Sequence, residues 1–87
     1  MPKWFVYLLE CSDKTIYTGI TNDVKARIAK HNSGKGAKYT RGKTPVKLKA
    51  VFPYKNKSEA ASAEYAFKKL SRIQKKELIK QFKKQSK

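Results

Sequence analysis

Apolar positions fall into three short runs and three helical stripes, separated by polar, glycine-bearing segments. Trp4 to Leu9 (WFVYLL) is a bulky apolar and β-branched run bounded by Ser12-Asp13-Lys14, which predicts a buried strand. Thr15 to Thr21 (TIYTGIT) predicts a second strand, and the short polar gap makes the two a hairpin. Val46 to Phe52 (VKLKAVF) mostly alternates, with Val46, Leu48, Ala50 and Phe52 facing one way and Lys47 and Lys49 the other; this predicts a third strand with one wet, basic face.

Between and after the strands the period changes to that of a helix. Asn22 or Thr21 can cap a helix running to about His31, with Asp23 favourably placed against the dipole and Val24, Ile28 and His31 at i, i+4 and i+7. Asn32 to Pro45 (NSGKGAKYTRGKTP) has no apolar period and reads as a loop. Ser58 is expected to cap a helix through Leu70, with Ala60, Ala63, Phe67 and Leu70 as its buried stripe. Ser71-Arg72-Ile73-Gln74 fits a capping box, so a third helix is expected from Arg72 to about Lys84, with Leu78 and Phe82 as its apolar pair. The predicted order is ββαβαα. The fold class is α+β, a three-stranded, mainly antiparallel sheet flanked by helices. Residues 1–84 are expected to form one domain and residues 85–87 a frayed basic tail.

Composition narrows the function. The chain of 87 residues carries 22 Lys and Arg against 6 Asp and Glu, a formal charge of +16, which points to a polyanionic partner, most commonly nucleic acid. Hydrophobic content of 39% with 11% aromatics is too high for a disordered basic tail. A single cysteine, Cys11, excludes an internal disulfide and a thiol-ligated zinc site, and a single histidine, His31, excludes sites built on two imidazoles. No apolar run approaches the roughly twenty residues needed to cross a bilayer, and the chain enters its first strand with no signal peptide, so a cytoplasmic location and no membrane partner are expected. With six carboxylates, most of them in turns, caps or among lysines, a multi-carboxylate two-metal centre is also disfavoured.

Four features can carry chemistry. With a three-residue turn at Ser12 to Lys14, opposed residues of the hairpin sum to 26, so Tyr7 lies opposite Gly19 and Tyr17 opposite Leu9. Both tyrosines then emerge on one face, with Gly19 leaving space above the backbone; tyrosine is also simply a favoured strand residue. Arg27 and His31, at i and i+4, suit a phosphate and the charge that builds on a pentacoordinate phosphorus, or else form a solvated basic helix face. Glu64 borders the apolar stripe of its helix, where an ionised carboxylate needs a hard divalent cation, a salt bridge to Arg27 or a lysine, or a path to solvent. The fourth feature is the basic surface of Lys35, Lys38, Tyr39, Arg41 and Lys43 on the loop with Lys47 and Lys49 on the third strand, suited to phosphate contact without base readout.

Val6-Tyr7-Leu8, then Tyr17-Thr18-Gly19, then Arg27, His31 and Glu64, resemble the motifs of the GIY-YIG nuclease domain over essentially the whole chain, from about Trp4 to about Phe82. HNSGKGAKYTRGKTPVKL and KKLSR are similar to the small single-domain bacterial and archaeal members in particular. The resemblance implies a metal-dependent DNA endonuclease that works by direct water attack and leaves a 5′-phosphate and a 3′-hydroxyl. Tyr7 would be the general base or orient the water, Tyr17 would support it and hold the phosphate, Arg27 would stabilise the transition state with His31 beside it, and Glu64 would ligate a single Mg²⁺ or Mn²⁺. Branched, nicked or single-stranded DNA is the implied substrate, with a role in DNA repair or recombination and a partner protein to supply targeting. The first motif reads Val-Tyr-Leu where Gly-Ile-Tyr is usual, Thr18 stands where isoleucine is usual, and no asparagine follows Asn56. A non-catalytic nucleic-acid-binding protein that keeps the fold is the rival reading; an RNA-binding protein fits charge and size and leaves Glu64 unexplained.

Overall fold

The computed structural model describes residues 3–35 and 38–85. Its elements are β1 (Trp4–Glu10), β2 (Ile16–Thr21), α1 (Val24–Asn32), a short 3-10 turn (Lys38–Thr40), β3 (Lys47–Tyr54), α2 (Lys57–Lys68) and α3 (Arg72–Gln85). The strands form one antiparallel sheet in the order β2-β1-β3, so the most apolar strand lies at the centre. The α+β architecture read from the sequence, with the order ββαβαα, is the observed one. Gln85 closes α3, and the rest of the expected tail lies outside the described residues.

The hairpin register is the one its turn dictates: Tyr7 pairs with Gly19 and Leu9 with Tyr17. Cys11 and Thr15 close the turn through a 2.8 Å backbone bond, and Lys14 takes a positive φ of 72° to complete it. β3 departs from its predicted alternation. Leu8 pairs with Ala50 but Leu9 pairs with Leu48, so Lys49 is an extra residue, a bulge. A one-residue slip exchanges the faces of a strand. Ala50 and Phe52 therefore share the face of Leu8, whereas Val46 joins Tyr7, Leu9 and Cys11 on the opposite one, and Leu48 is left 40% exposed. The expectation that Val46, Leu48, Ala50 and Phe52 share one face fails at this bulge.

Both faces of the sheet are covered. Ile28 of α1 and Tyr17 pack on the cluster of Tyr7, Leu9, Cys11 and Val46. Ile79, Leu78 and Phe82 of α3 pack with Leu8, Ile16, Ala50 and Phe52, and Phe52 meets Phe67 of α2 edge-on at 5.3 Å. Ile79, absent from the predicted stripe, is buried beside the predicted Leu78 and Phe82. Leu8 and Leu9 are fully buried on opposite faces, each contributing roughly 1.5–3 kcal/mol of burial.

Two predicted helix starts move by one or two residues. Asp23, rather than Asn22 or Thr21, caps α1, its carboxylate accepting from Ala26 N–H at 3.1 Å. Thr21 instead takes the Asp23 N–H on its hydroxyl, so it braces the cap. Asn56, rather than Ser58, caps α2 by accepting from Glu59 N–H at 2.9 Å. The Ser71–Gln74 capping box of α3 is present in both directions.

The loop after α1 is anchored where it returns to the sheet. Asn32 accepts from Val46 N–H at 2.7 Å and donates back to the Val46 carbonyl, Ser12 N–H donates to the Lys43 carbonyl, and Lys43 pairs with Asp13 at 3.3 Å. Among the described residues, no helix is long and apolar enough to cross a membrane.

Candidate active site

The central strand, its hairpin partner and α1 bring four of the predicted residues into one cluster. Tyr7 is central on β1 and 1% exposed. Across the hairpin, Gly19 has no side chain where a Cβ would sit 2.5 Å from the Tyr7 hydroxyl and 3.0 Å from the Tyr17 ring. The strand register thus makes room for a phenol to lie over the backbone of its neighbour. Tyr17 sits diagonally across, its ring centroid 6.2 Å from that of Tyr7.

His31, on the last turn of α1, reaches this cluster from the side and is completely buried. Its Nε2 lies 3.0 Å from the Tyr7 hydroxyl, and its ring meets Tyr7 and Tyr17 edge-on at 5.9 and 5.3 Å. Its Nδ1 is 2.7 Å from the hydroxyl of Thr40, which the 3-10 turn buries completely. Arg27, one turn earlier, donates its Nε–H to the Tyr7 oxygen at 3.4 Å. A continuous chain results: Arg27, Tyr7, His31, Thr40.

Electrostatics fixes the resting protonation of this chain. Burial, the largest influence, pushes the Tyr7 phenol above its ordinary value; the bond from Arg27 opposes it, and Tyr17 and Glu64 add to the rise. Burial likewise raises Tyr17, with Arg27 opposing and Glu64 adding. Burial and then Arg27 depress His31, so its imidazole is neutral at pH 7. Two tautomers satisfy the geometry. In one, Tyr7 donates to Nε2 and Nδ1–H donates to Thr40. In the other, Thr40 donates to Nδ1 and Nε2–H joins Arg27 in donating to the Tyr7 oxygen, the arrangement that suits a tyrosinate.

Glu64 projects from α2, with its side chain 21% exposed and its carboxylate 3.5 Å from Lys68 one turn on. Of the partners weighed from the sequence, a lysine is the one found, while the influence of Glu64 on both tyrosines places it within electrostatic reach of them. Among the described residues, no three His, Cys, Asp or Glu side chains converge as metal ligands. A site of one carboxylate fits a hard cation that keeps most of its waters and takes substrate phosphate as a further ligand, the habit of Mg²⁺.

The predicted basic surface is less uniform. Lys35, Lys38, Arg41 and Lys47 are exposed, whereas Lys43 is held by Asp13 and Lys49 by Glu10 at 3.8 Å. Tyr39 lies in the 3-10 turn, and its side chain lies outside the described residues. Thr40 is the site residue that sequence reasoning missed: a threonine in an aperiodic loop carries no signal until the loop is folded back on α1.

This hairpin, helix and carboxylate arrangement is that of a small nuclease-superfamily domain. The family model of the GIY-YIG catalytic domain matches residues 3–85, and the chain belongs to that family. Its relatives are small bacterial and archaeal proteins of the UPF0213 group. The chain is 58% identical over 74 residues to UPF0213 protein VNG_2274C of Halobacterium salinarum, covering 85% of this chain and 96% of that protein. It is similar to the solution structure of UPF0213 protein BH0048 of Bacillus halodurans, at 52% identity and a TM-score of 0.57 over 88% of this chain and 82% of that one. It is also similar to the solution structure of EF2693 of E. faecalis, at 41% identity and a TM-score of 0.62 over 94% and 91% of the two chains.

Proposed function

We propose that the protein is a metal-dependent DNA endonuclease that hydrolyses a phosphodiester bond by direct attack of water. The observation that carries this reading is the hydrogen-bonded convergence of Arg27, Tyr7 and His31, with Tyr17 against them and Glu64 in electrostatic reach. A surface that only binds phosphate has no use for a buried phenol held between a guanidinium and a neutral imidazole.

In this reading Tyr7 takes the proton of the attacking water. A phenol raised above its usual value is a poor base at neutral pH, so its anion must be stabilised during turnover. Arg27 and, in the second tautomer, His31 supply two N–H donors to that oxygen. Arg27 also faces the charge that builds on the pentacoordinate phosphorus, and Tyr17 orients the phosphate. Glu64 is the protein ligand for Mg²⁺ or Mn²⁺, which when bound supplies Lewis-acid stabilisation of the phosphate oxygens. To hold the ion, Glu64 would have to give up its ion pair with Lys68. Exposed Lys35, Lys38, Arg41 and Lys47 track the DNA backbone, with Lys43 and Lys49 at their margin.

Residues 1–84 act as one nuclease-like domain in the cytoplasm. Its substrates are nicked, branched or single-stranded DNA met in repair or recombination, with targeting supplied by a partner protein. The test is Glu64→Ala, followed for both cleavage and binding of labelled branched and single-stranded DNA. Cleavage is lost while binding is kept or tightened, because a negative charge leaves a basic surface. Cleavage that persists in the variant contradicts the assignment. Tight binding without any cleavage by the parent protein favours the non-catalytic reading.

A further inference from the structure

A second cleft adjoins this site at the end of the sheet where β1 begins. Trp4 pairs with Tyr54, the last residue of β3, and Phe5 pairs with Thr21, the last of β2. Both strands then turn immediately into helices, so α1 and α2 each begin at this end. Trp4, Ile20, Thr21, Asn22, Arg27 and Lys57 line the resulting cleft, about 440 Å³ in volume and within the size range of ligand sites.

Its chemistry differs from that of the exposed basic loop. Trp4 is half-buried, and its ring has the Lys57 ammonium 5.3 Å from its centroid. Arg27 is shared with the active site, where its Nε–H is committed to Tyr7. Asn22 is exposed and has no intramolecular partner for its side-chain amide among the described residues. Thr21 is occupied by the Asp23 backbone, and the Asp23 carboxylate by the α1 cap. Among the described residues, no carboxylate lines the cleft. An indole face, a free amide and two cations together match one nucleotide: a base stacks on the ring, an amide meets a base edge, and cations meet the flanking phosphates.

We propose that this cleft takes one unstacked nucleotide of single-stranded DNA next to the scissile phosphate, with Trp4 as the stacking platform and Lys57 as a phosphate ligand. The inference rests on the nuclease reading for its choice of DNA. An exposed cation–π contact is weaker than base–aromatic stacking, so Lys57 yields the ring to a base and moves to the phosphate. Arg27 ties the two sites together, so the stacked nucleotide sets which bond reaches Tyr7. Duplex DNA cannot fill the cleft without unstacking, which makes a single-stranded flap, gap or end the preferred substrate.

Trp4 is the chain's single tryptophan, so its emission reports occupancy directly. Oligothymidylate titrated into the full chain in EDTA, where no cleavage interferes, is expected to quench and shift that emission in step with binding followed by anisotropy of a labelled strand. Duplex DNA of equal length is expected to bind without the quench. Trp4→Leu keeps an apolar residue in β1 and is expected to weaken oligothymidylate binding about tenfold. Lys57→Gln, on an exposed helix start, is expected to keep the fold and to reduce the slope of log affinity against log salt by about 0.7, the share of one phosphate contact on a single strand. Oligothymidylate that binds with no change in Trp4 emission overturns the proposal, as does a duplex that quenches equally. An oligouridylate that quenches at lower concentration overturns the choice of DNA. Absence of cleavage with metal tells against the nuclease reading alone, since the quench is read without it.

Discussion

Gly19 faces Tyr7 across the hairpin, and a methyl group added there collides with the phenol that the site is built around. The new Cβ sits 2.5 Å from the hydroxyl oxygen, 2.6 Å from the carbon that bears it and 3.0 Å from the Tyr17 ring. Ordinary contact needs roughly 3.5 Å, so the tip of Tyr7 must retreat by about 1 Å. It has little space to do so, being 1% exposed and bonded to His31 at 3.0 Å and Arg27 at 3.4 Å. Overpacking costs about 1–3 kcal/mol and a lost hydrogen bond about 1 kcal/mol. Against this stands a gain of about 0.5–1 kcal/mol from replacing glycine within a strand. Gly19→Ala is therefore expected to lose about 2 kcal/mol, which for a domain of this size lowers Tm by roughly 8–16 °C in circular dichroism melts. Cleavage is expected to fall about a hundredfold at temperatures where the variant is folded, since a 1 Å misplacement of a catalytic group has that effect. A Tm that rises while cleavage is retained would show instead that the strand has room for a side chain beside Tyr7.

Thr40→Val leaves the buried His31 Nδ1 without its hydroxyl partner and is expected to cost about 1–3 kcal/mol and most of the cleavage, while Thr40→Ser restores both; equal melts and rates in all three proteins would remove Thr40 from the site. His31 is held below its ordinary value near 6.5, so the unfolded chain binds the extra proton more readily. The stability contributed by its neutral form is full above about pH 6.5 and declines as pH falls below it, toward the folded value. Tm is expected to drop between pH 7.5 and 5.5, and to drop less in His31→Gln. Ser71→Ala removes one half of the α3 capping box and is expected to cost about 1 kcal/mol, or roughly 4–8 °C, with cleavage unchanged below the melt.

The hairpin was fully legible because the length of its turn and the side-chain period of two leave one register, and that register puts Tyr7 beside Gly19 and Tyr17. The Ser71–Gln74 box was legible because both partners lie within four residues of sequence. Ser58 and Asn22 were plausible caps, yet Asn56 and Asp23 take that role. Several capping residues stand side by side there, and the strand ends decide which one opens the helix. The bulge at Lys49 was invisible, since Val46 to Ala50 alternates as an unbroken strand would and only the pairing with Leu8 and Leu9 breaks the pattern. Thr40 was invisible for a related reason. Its partner His31 lies nine residues away across an aperiodic loop, and the bonds of Asn32, Ser12 and Asp13 that fold the loop back are likewise tertiary.

In the proposed reaction Tyr7 and Glu64 act together in metal-dependent hydrolysis of DNA. The most direct measurement is nicking of supercoiled plasmid by the parent protein, Tyr7→Phe and Glu64→Ala, with Mg²⁺ or Mn²⁺ and with EDTA. Nicking by the parent alone, abolished by EDTA and leaving ends that a ligase reseals, is the predicted result. Nicking that survives in both variants, or that proceeds in EDTA, would contradict it.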